Sequence, residues 1–97
     1  MPVEHMVWVK FKEGVSAERI QEHMDNVLTM RDIIPGVVDI CLGENFTDRS
    51  GGYTLGIIVT LDNRTSLENY IVCDEHVKVA TPLKADSESL VVLDFEH

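Results

Sequence analysis

The feature that most constrains this chain is a set of short alternating segments that are apolar on both faces. From Val3 to Lys12 the side chains alternate, with Val3, His5, Val7, Val9 and Phe11 on one face and Met6, Trp8 and Lys10 on the other. Tyr53–Leu61 repeats the pattern, placing Tyr53, Leu55, Ile57, Val59 and Leu61 together and Thr54, Gly56, Ile58 and Thr60 opposite. Val37–Gly43 and Ser89–Glu96 read as two further strands. Helices can cover one face of such a sheet, but the second face carries Met6, Trp8 and Ile58, with Val91 and Leu93 beside them. An apolar patch of this kind marks an interface. Two sheets packed face to face about 10 Å apart would bury it, so the expected partner is a second copy of the chain, with Trp8 as the anchor.

The segments between the strands are helical. After Glu13-Gly14, Ser16 is positioned to cap a helix over Ala17–Ile34. Its inward stripe is read as Ile20, Met24, Val27, Leu28, Arg31 and Ile34, which leaves His23 on the solvent side. Pro35-Gly36 ends it. Glu44–Gly52 is polar and forms a hairpin connection. Thr65 and Glu68 have the spacing of a capping box for a second helix through Val72. Asp74 then caps a short helical piece disturbed by Pro82. The order strand-helix-strand-strand-helix-strand is that of an α+β, ferredoxin-like βαββαβ subunit with a four-stranded antiparallel sheet. A chain of 97 residues holds one such domain, spanning 1–97.

Composition removes several classes of function. Eight Lys and Arg against 17 Asp and Glu give a net charge of −9, which repels nucleic acid and anionic membrane surfaces. No run approaches a membrane span of roughly 18–20 apolar residues, and Met1–His5 does not resemble a secretory signal, so a cytoplasmic location is expected. Cys41 and Cys73 match no metal-binding spacing and are expected to be reduced thiols. Asp74, Glu75 and His76 are adjacent on a helix and cannot converge on one ion, so no metal is expected. Gly51-Gly52 lacks the strand-turn-helix setting of a phosphate loop, and no cofactor is expected.

Four polar side chains point toward the helix-covered interior. His5 shares a face with Val7 and Val9; His76 shares a helical face with Val79, Ala80 and Leu83; Tyr70 lies with Leu67 and Ile71; Asp94 lies with Leu90 and Val92. Buried polar groups without partners cost about 1–3 kcal/mol each. One reading is a hydrogen-bonded core. The other is a cavity in which the histidines move protons near neutral pH and the phenol holds a substrate oxygen.

The stretches His5-Met6-Val7-Trp8-Val9-Lys10-Phe11-Lys12, Ile34-Pro35-Gly36-Val37, Gly52-Tyr53-Thr54, Tyr70-Ile71 with Asp74-Glu75-His76, and Val92-Leu93-Asp94-Phe95 together resemble the stress-responsive dimeric α/β-barrel family. The resemblance runs in register along nearly the whole chain. It implies a subunit that pairs sheet to sheet into a dimeric α/β barrel. It also implies a pocket between sheet and helices that some members, including a plant polyketide cyclase, use for acid–base chemistry without a cofactor. Carried over, His76, His5 and Tyr70 become the catalytic candidates. Val7, Val9, Met24, Val27, Tyr53, Leu55, Ile57, Leu90, Val92 and Asp94 become the substrate-binding candidates. The chain departs from the cyclase at Leu55, where the third strand would carry a histidine, and at Val27, where the first helix would carry a tyrosine, so the pocket here is more apolar. The function that follows is a cyclisation, decarboxylation or isomerisation of a hydrophobic, polyketide-like small molecule. The alternative is a non-catalytic stress-response or ligand-binding homodimer.

Overall fold

The computed structural model describes residues 1–97. Its strands are β1 (Val3–Phe11), β2 (Val37–Glu44), β3 (Leu55–Leu61) and β4 (Ser87–Glu96). They form one antiparallel sheet in the order β2-β3-β1-β4. The helices are α1 (Ala17–Thr29), continued by a 3-10 turn at Met30–Asp32, then α2 (Arg64–Val72) and α3 (Asp74–Ala85). This is the ferredoxin-like α+β arrangement that the alternation and helical spacing predict, with a third helix added. No helix is long and apolar enough to cross a membrane.

β1 lies between β3 and β4, and its register sorts the side chains. His5 stands opposite Val59 and Asp94, and Val7 opposite Ile57 and Val92, on the helix side. Met6 faces Ile58 and Leu93, and Trp8 faces Gly56 and Val91, on the other side. Thirteen buried apolar residues form the core between sheet and helices. The opposite face is uncovered within the subunit: Trp8 is 48% exposed and Leu93 57%. Phe95, opposite Glu4, extends the same apolar surface.

Several local expectations are corrected. β3 begins at Leu55, not Tyr53, so the alternation does not reach the tyrosine. Its hydroxyl lies 2.8 Å from that of Ser89, and it borders a depression with Trp8. The cap of α2 is Asn63, whose side chain accepts from the Ser66 amide, two residues ahead of the expected Thr65. α3 follows at once as a full helix with Cys73 as its N-cap, and Pro82 is tolerated because it lies in the last turn, where it removes one hydrogen bond without ending the helix. Gly36 ends the first helical segment with φ +88°, and a Cβ there would collide with the Ser66 side chain.

His23 is the largest correction. The inward stripe of the first helix is His23, Val27, Met30 and Ile34, at i, i+4, i+7 and i+11, while Leu28 and Arg31 face water. His23 is only 1% exposed. A histidine counts as polar in the sequence pattern, yet this ring has its partners inside: Nε2 lies 2.7 Å from Asp86 Oδ2, and Phe11 stacks on it at 6.0 Å between centroids. Arg19 Nε donates to the same carboxylate oxygen at 2.8 Å. The hydrogen bond from His23, and then that from Arg19, hold the Asp86 carboxyl below its ordinary 3.8. A depressed carboxyl stabilises the fold above its unfolded pKa and loses that contribution as pH falls through the folded value. Asp86→Asn should therefore lower Tm at pH 7. Thermal unfolding between pH 7 and pH 2 should show a steeper acid loss for the wild type than for the variant, the two curves converging at the acid end.

Candidate active site

A cavity of about 220 Å³ lies between the sheet and the three helices. β1 contributes His5 and Val7 to its lining, and β3 contributes Ile57 and Val59. Val27 and Met30 come from the first helical segment, and Tyr70 and Ile71 from α2. α3 gives its stripe His76, Val79, Ala80, Leu83 and Lys84; β4 gives Leu90, Val92 and Asp94. Among these, Ile71, Lys84, Val92 and Asp94 keep solvent contact, which puts the mouth at the edge strand β4 and the outer side of α2 and α3.

The structure thus brings together all three catalytic candidates and Val7, Val27, Ile57, Leu90, Val92 and Asp94. Val9, Met24, Tyr53 and Leu55 do not line the cavity. Val9 and Leu55 are paired across β1 and β3 and are fully enclosed, at 0% and 2% exposure. Met24 is partly buried and packs against the core. Tyr53 lies before β3 begins, for the reason given above. The expected departure at Leu55 is therefore a change in the packed core, whereas that at Val27 lies in the wall of the cavity. The site candidates from the sequence leave out Met30, Val59, Ile71, Val79, Ala80, Leu83 and Lys84, although the spacing places Ile71, Val79, Ala80 and Leu83 on inward helical faces. For Lys84 a signal existed, because it extends the spacing of His76, Val79, Ala80 and Leu83 to i+8.

The polar groups are arranged in sequence across the void. His5, 7% exposed, has Nδ1 2.5 Å from Asp94 Oδ1. A carboxylate accepts, so Nδ1 donates and Nε2 is left toward the interior. The His5 ring meets Tyr70 edge-on at 5.6 Å, and Tyr70 meets His76 at 4.4 Å. Tyr70 is almost wholly buried, and burial pushes its phenol far above the ordinary range, so it remains an O–H donor. No buried polar side-chain atom lacks a partner, and the phenol makes no hydrogen bond within the protein; its oxygen therefore reaches the void.

His76 is half-buried at the start of α3, and its position follows from the chain break between α2 and α3. Cys73, with φ −71° and ψ 150°, ends one helix and starts the next. That break leaves the Ile71 carbonyl available, and His76 Nδ1 lies 3.0 Å from its oxygen. The carbonyl can only accept, so Nδ1 carries the hydrogen and Nε2 is the basic nitrogen. Burial lowers the His76 pKa from 6.5; the Ile71 hydrogen bond opposes the shift, and the charges of His5 and Lys84 add to it. No three His, Cys, Asp or Glu side chains are grouped to hold a metal ion.

A four-stranded antiparallel sheet with its helices on one face, enclosing a cavity that carries two histidines and a tyrosine, defines a ferredoxin-like α+β domain with an interlayer pocket. The chain belongs to the stress responsive A/B barrel domain family, whose pattern it fits over residues 3–97. It is 26% identical over 97 residues to olivetolic acid cyclase of Cannabis sativa, covering 98% of this chain and 96% of that protein. Among solved structures, hydroxynitrile lyase from Passiflora edulis superposes with a TM-score of 0.91 at 20% identity, over 97% of this chain and 91% of that one. A dimeric ferredoxin-like protein of unknown function from Jannaschia sp. CCS1 superposes at 0.88 with 23% identity, over 100% of both chains. The two structural likenesses speak for the fold, and enzymes occur among the relatives.

The depressed His76 pKa makes a direct prediction. Its imidazole should titrate with a midpoint below 6.5 in an NMR pH titration of the ring signals, and should be neutral at pH 7.

Proposed function

We propose that this chain is a homodimeric, cofactor-free enzyme that moves protons on a small apolar substrate held in the interlayer cavity. The observation that carries this reading is the convergence of His5, Tyr70 and His76 on one apolar void that opens to solvent. His76 Nε2 takes a proton from the carbon next to a substrate carbonyl. The Tyr70 hydroxyl hydrogen-bonds the carbonyl oxygen as negative charge develops there. The protonated His76 then returns that proton to carbon or oxygen, while His5, oriented by Asp94, accepts a hydrogen bond from the substrate at Nε2. The same three groups serve a cyclisation or an isomerisation, in which the enolate forms by loss of the proton to His76. They also serve a decarboxylation, in which the enolate forms as the C–C bond to the carboxylate breaks and CO2 leaves, and a protonated His76 then supplies the proton to carbon. An apolar lining suits a polyketide-like or aromatic substrate.

The dimer reading rests on the uncovered sheet face, where Met6, Trp8, Ile58, Val91, Leu93 and Phe95 form an apolar surface on a chain of net charge −9. A face of that kind, paired with its own copy, forms a sheet-on-sheet contact. The second reading, a non-catalytic stress-type dimer, is favoured by the size of the void, which at about 220 Å³ lies below the roughly 300–1,000 Å³ of common ligand pockets.

One experiment decides between these readings, and a second tests the dimer common to both. His76→Ala should reduce turnover of a β-keto substrate by about 10²–10⁴-fold, the range for loss of a general base, with little change in Tm because the side chain is half-buried. A large fall in Tm with no activity to lose would support the structural reading. Sedimentation should show a dimer at micromolar concentration, and Trp8→Glu should weaken it by about 30-fold or more, as loss of an interface anchor does.

A further inference from the structure

We infer that Lys84 selects a carboxylate-bearing, otherwise apolar substrate for this cavity, with the carboxylate several bonds away from the carbon that His76 deprotonates. The inference rests on the acid–base reading of the cavity given above and adds to it the class of molecule admitted.

The first argument is position. His76, Val79, Ala80, Leu83 and Lys84 occupy i, i+3, i+4, i+7 and i+8 of α3 and all line the void. A lysine in the last turn of a helix also complements the helix dipole, but that role requires no particular face, and this lysine shares the face of the histidine. The second argument is charge. Lys84 is the one Lys or Arg in the lining, and the one carboxylate there, Asp94, is engaged by His5. Of the eight Lys and Arg, Lys10, Arg19, Arg31 and Arg64 form ion pairs and Lys12, Arg49, Lys78 and Lys84 do not; of the unpaired four, only Lys84 lines the cavity. On a chain of net charge −9 an anion is repelled from most of the surface, so an unpaired cation at a cavity mouth is a local exception.

The third argument is solvation. An anion enclosed in an apolar void without a partner is strongly disfavoured. Lys84 is exposed, so a carboxylate bound to it stays at the wet end while the apolar body of the substrate fills the interior. Eight residues separate Lys84 from His76, a rise of about 12 Å along the helix axis, which the flexible lysine stem can shorten. The acidic group and the reacting carbon are therefore at opposite ends of an elongated molecule. The positive charge of Lys84 already acts on His76, lowering its pKa. A bound carboxylate would cancel that charge, so the basicity of His76 would rise when the cognate class of ligand is present.

The test uses 4-phenylbutyrate and its neutral analogue 4-phenylbutyramide, titrated into isotope-labelled wild-type protein, Lys84→Met and Lys84→Arg. Shifts of the Val7, Ile57 and His76 signals report occupancy of the cavity. The wild type and Lys84→Arg should bind the carboxylate at least tenfold tighter than the amide, and Lys84→Met should bind the two equally. The His76 titration midpoint should move up with the carboxylate and not with the amide. Equal binding of both ligands by the wild type, or a carboxylate preference that survives Lys84→Met, overturns the role of Lys84 while leaving the cavity as a ligand site. If neither ligand perturbs the cavity residues at millimolar concentration, the substrate class and the acid–base reading fall together.

Discussion

The register of β1 decides more of this molecule than any other interaction. It is hydrogen-bonded on both sides, to β3 and β4, and it contributes to both surfaces of the sheet. Its odd-numbered residues give the core Val3, Val7 and Val9 and give the cavity His5. Its even-numbered residues give the outer face Met6 and Trp8. A slip of one residue would exchange the two sets, turning Trp8 into the helices and His5 out to the uncovered face. The pairing of His5 with Asp94 across β1 and β4 ties the same register to the site. The buried valines and the polar pair thus depend on a single alignment.

The second determinant is the break between α2 and α3. One continuous helix over Arg64–Ala85 would use the Ile71 carbonyl in its own ladder, bonding the amide four residues on. The extended conformation at Cys73 interrupts that ladder, and the carbonyl binds the His76 ring instead. The same break sends α3 off in a new direction, so that its stripe faces the void beside Tyr70. A small irregularity in the chain fixes the tautomer of one histidine and the position of one cavity wall.

The sheet and the sorting of its side chains into a helix-covered face and an uncovered apolar face are legible in the sequence because period-two alternation is a strong signal in segments rich in Val, Ile and Leu. The convergence of His5, Tyr70, His76 and Asp94 was also legible, since each lies in phase with apolar neighbours on its own element. What escaped was whatever depended on phase at an element's end. Tyr53 is in phase with Leu55 in the sequence although the strand has not yet begun there, and Thr65 has the spacing of a cap that Asn63 supplies. His23 was assigned to solvent because hydropathy scores the residue alone, whereas its burial depends on Asp86, 63 positions away. Val9, Met24 and Leu55 were placed in the pocket because sequence phase tells a buried face from an exposed one. It does not tell a filled part of that face from an empty one.

That last distinction separates the two histidine–carboxylate pairs of the fold. His23 with Asp86 and His5 with Asp94 are chemically alike, each a largely buried ring within 2.7 Å of a carboxylate oxygen. Around His23 the remaining space is taken: Phe11 covers the ring, and Arg19 occupies the same oxygen of Asp86. Nothing can approach, and the pair serves to join α1 to the end of α3. Around His5, beyond the bond to Asp94, the ring meets Tyr70 in a T-shaped contact and borders the void that His76 also lines. A histidine can transfer a proton only where a second molecule can reach its free nitrogen. The empty volume beside His5 and His76, more than the presence of histidine itself, is therefore what the proposed chemistry rests on, and its absence around His23 leaves that pair a structural clasp.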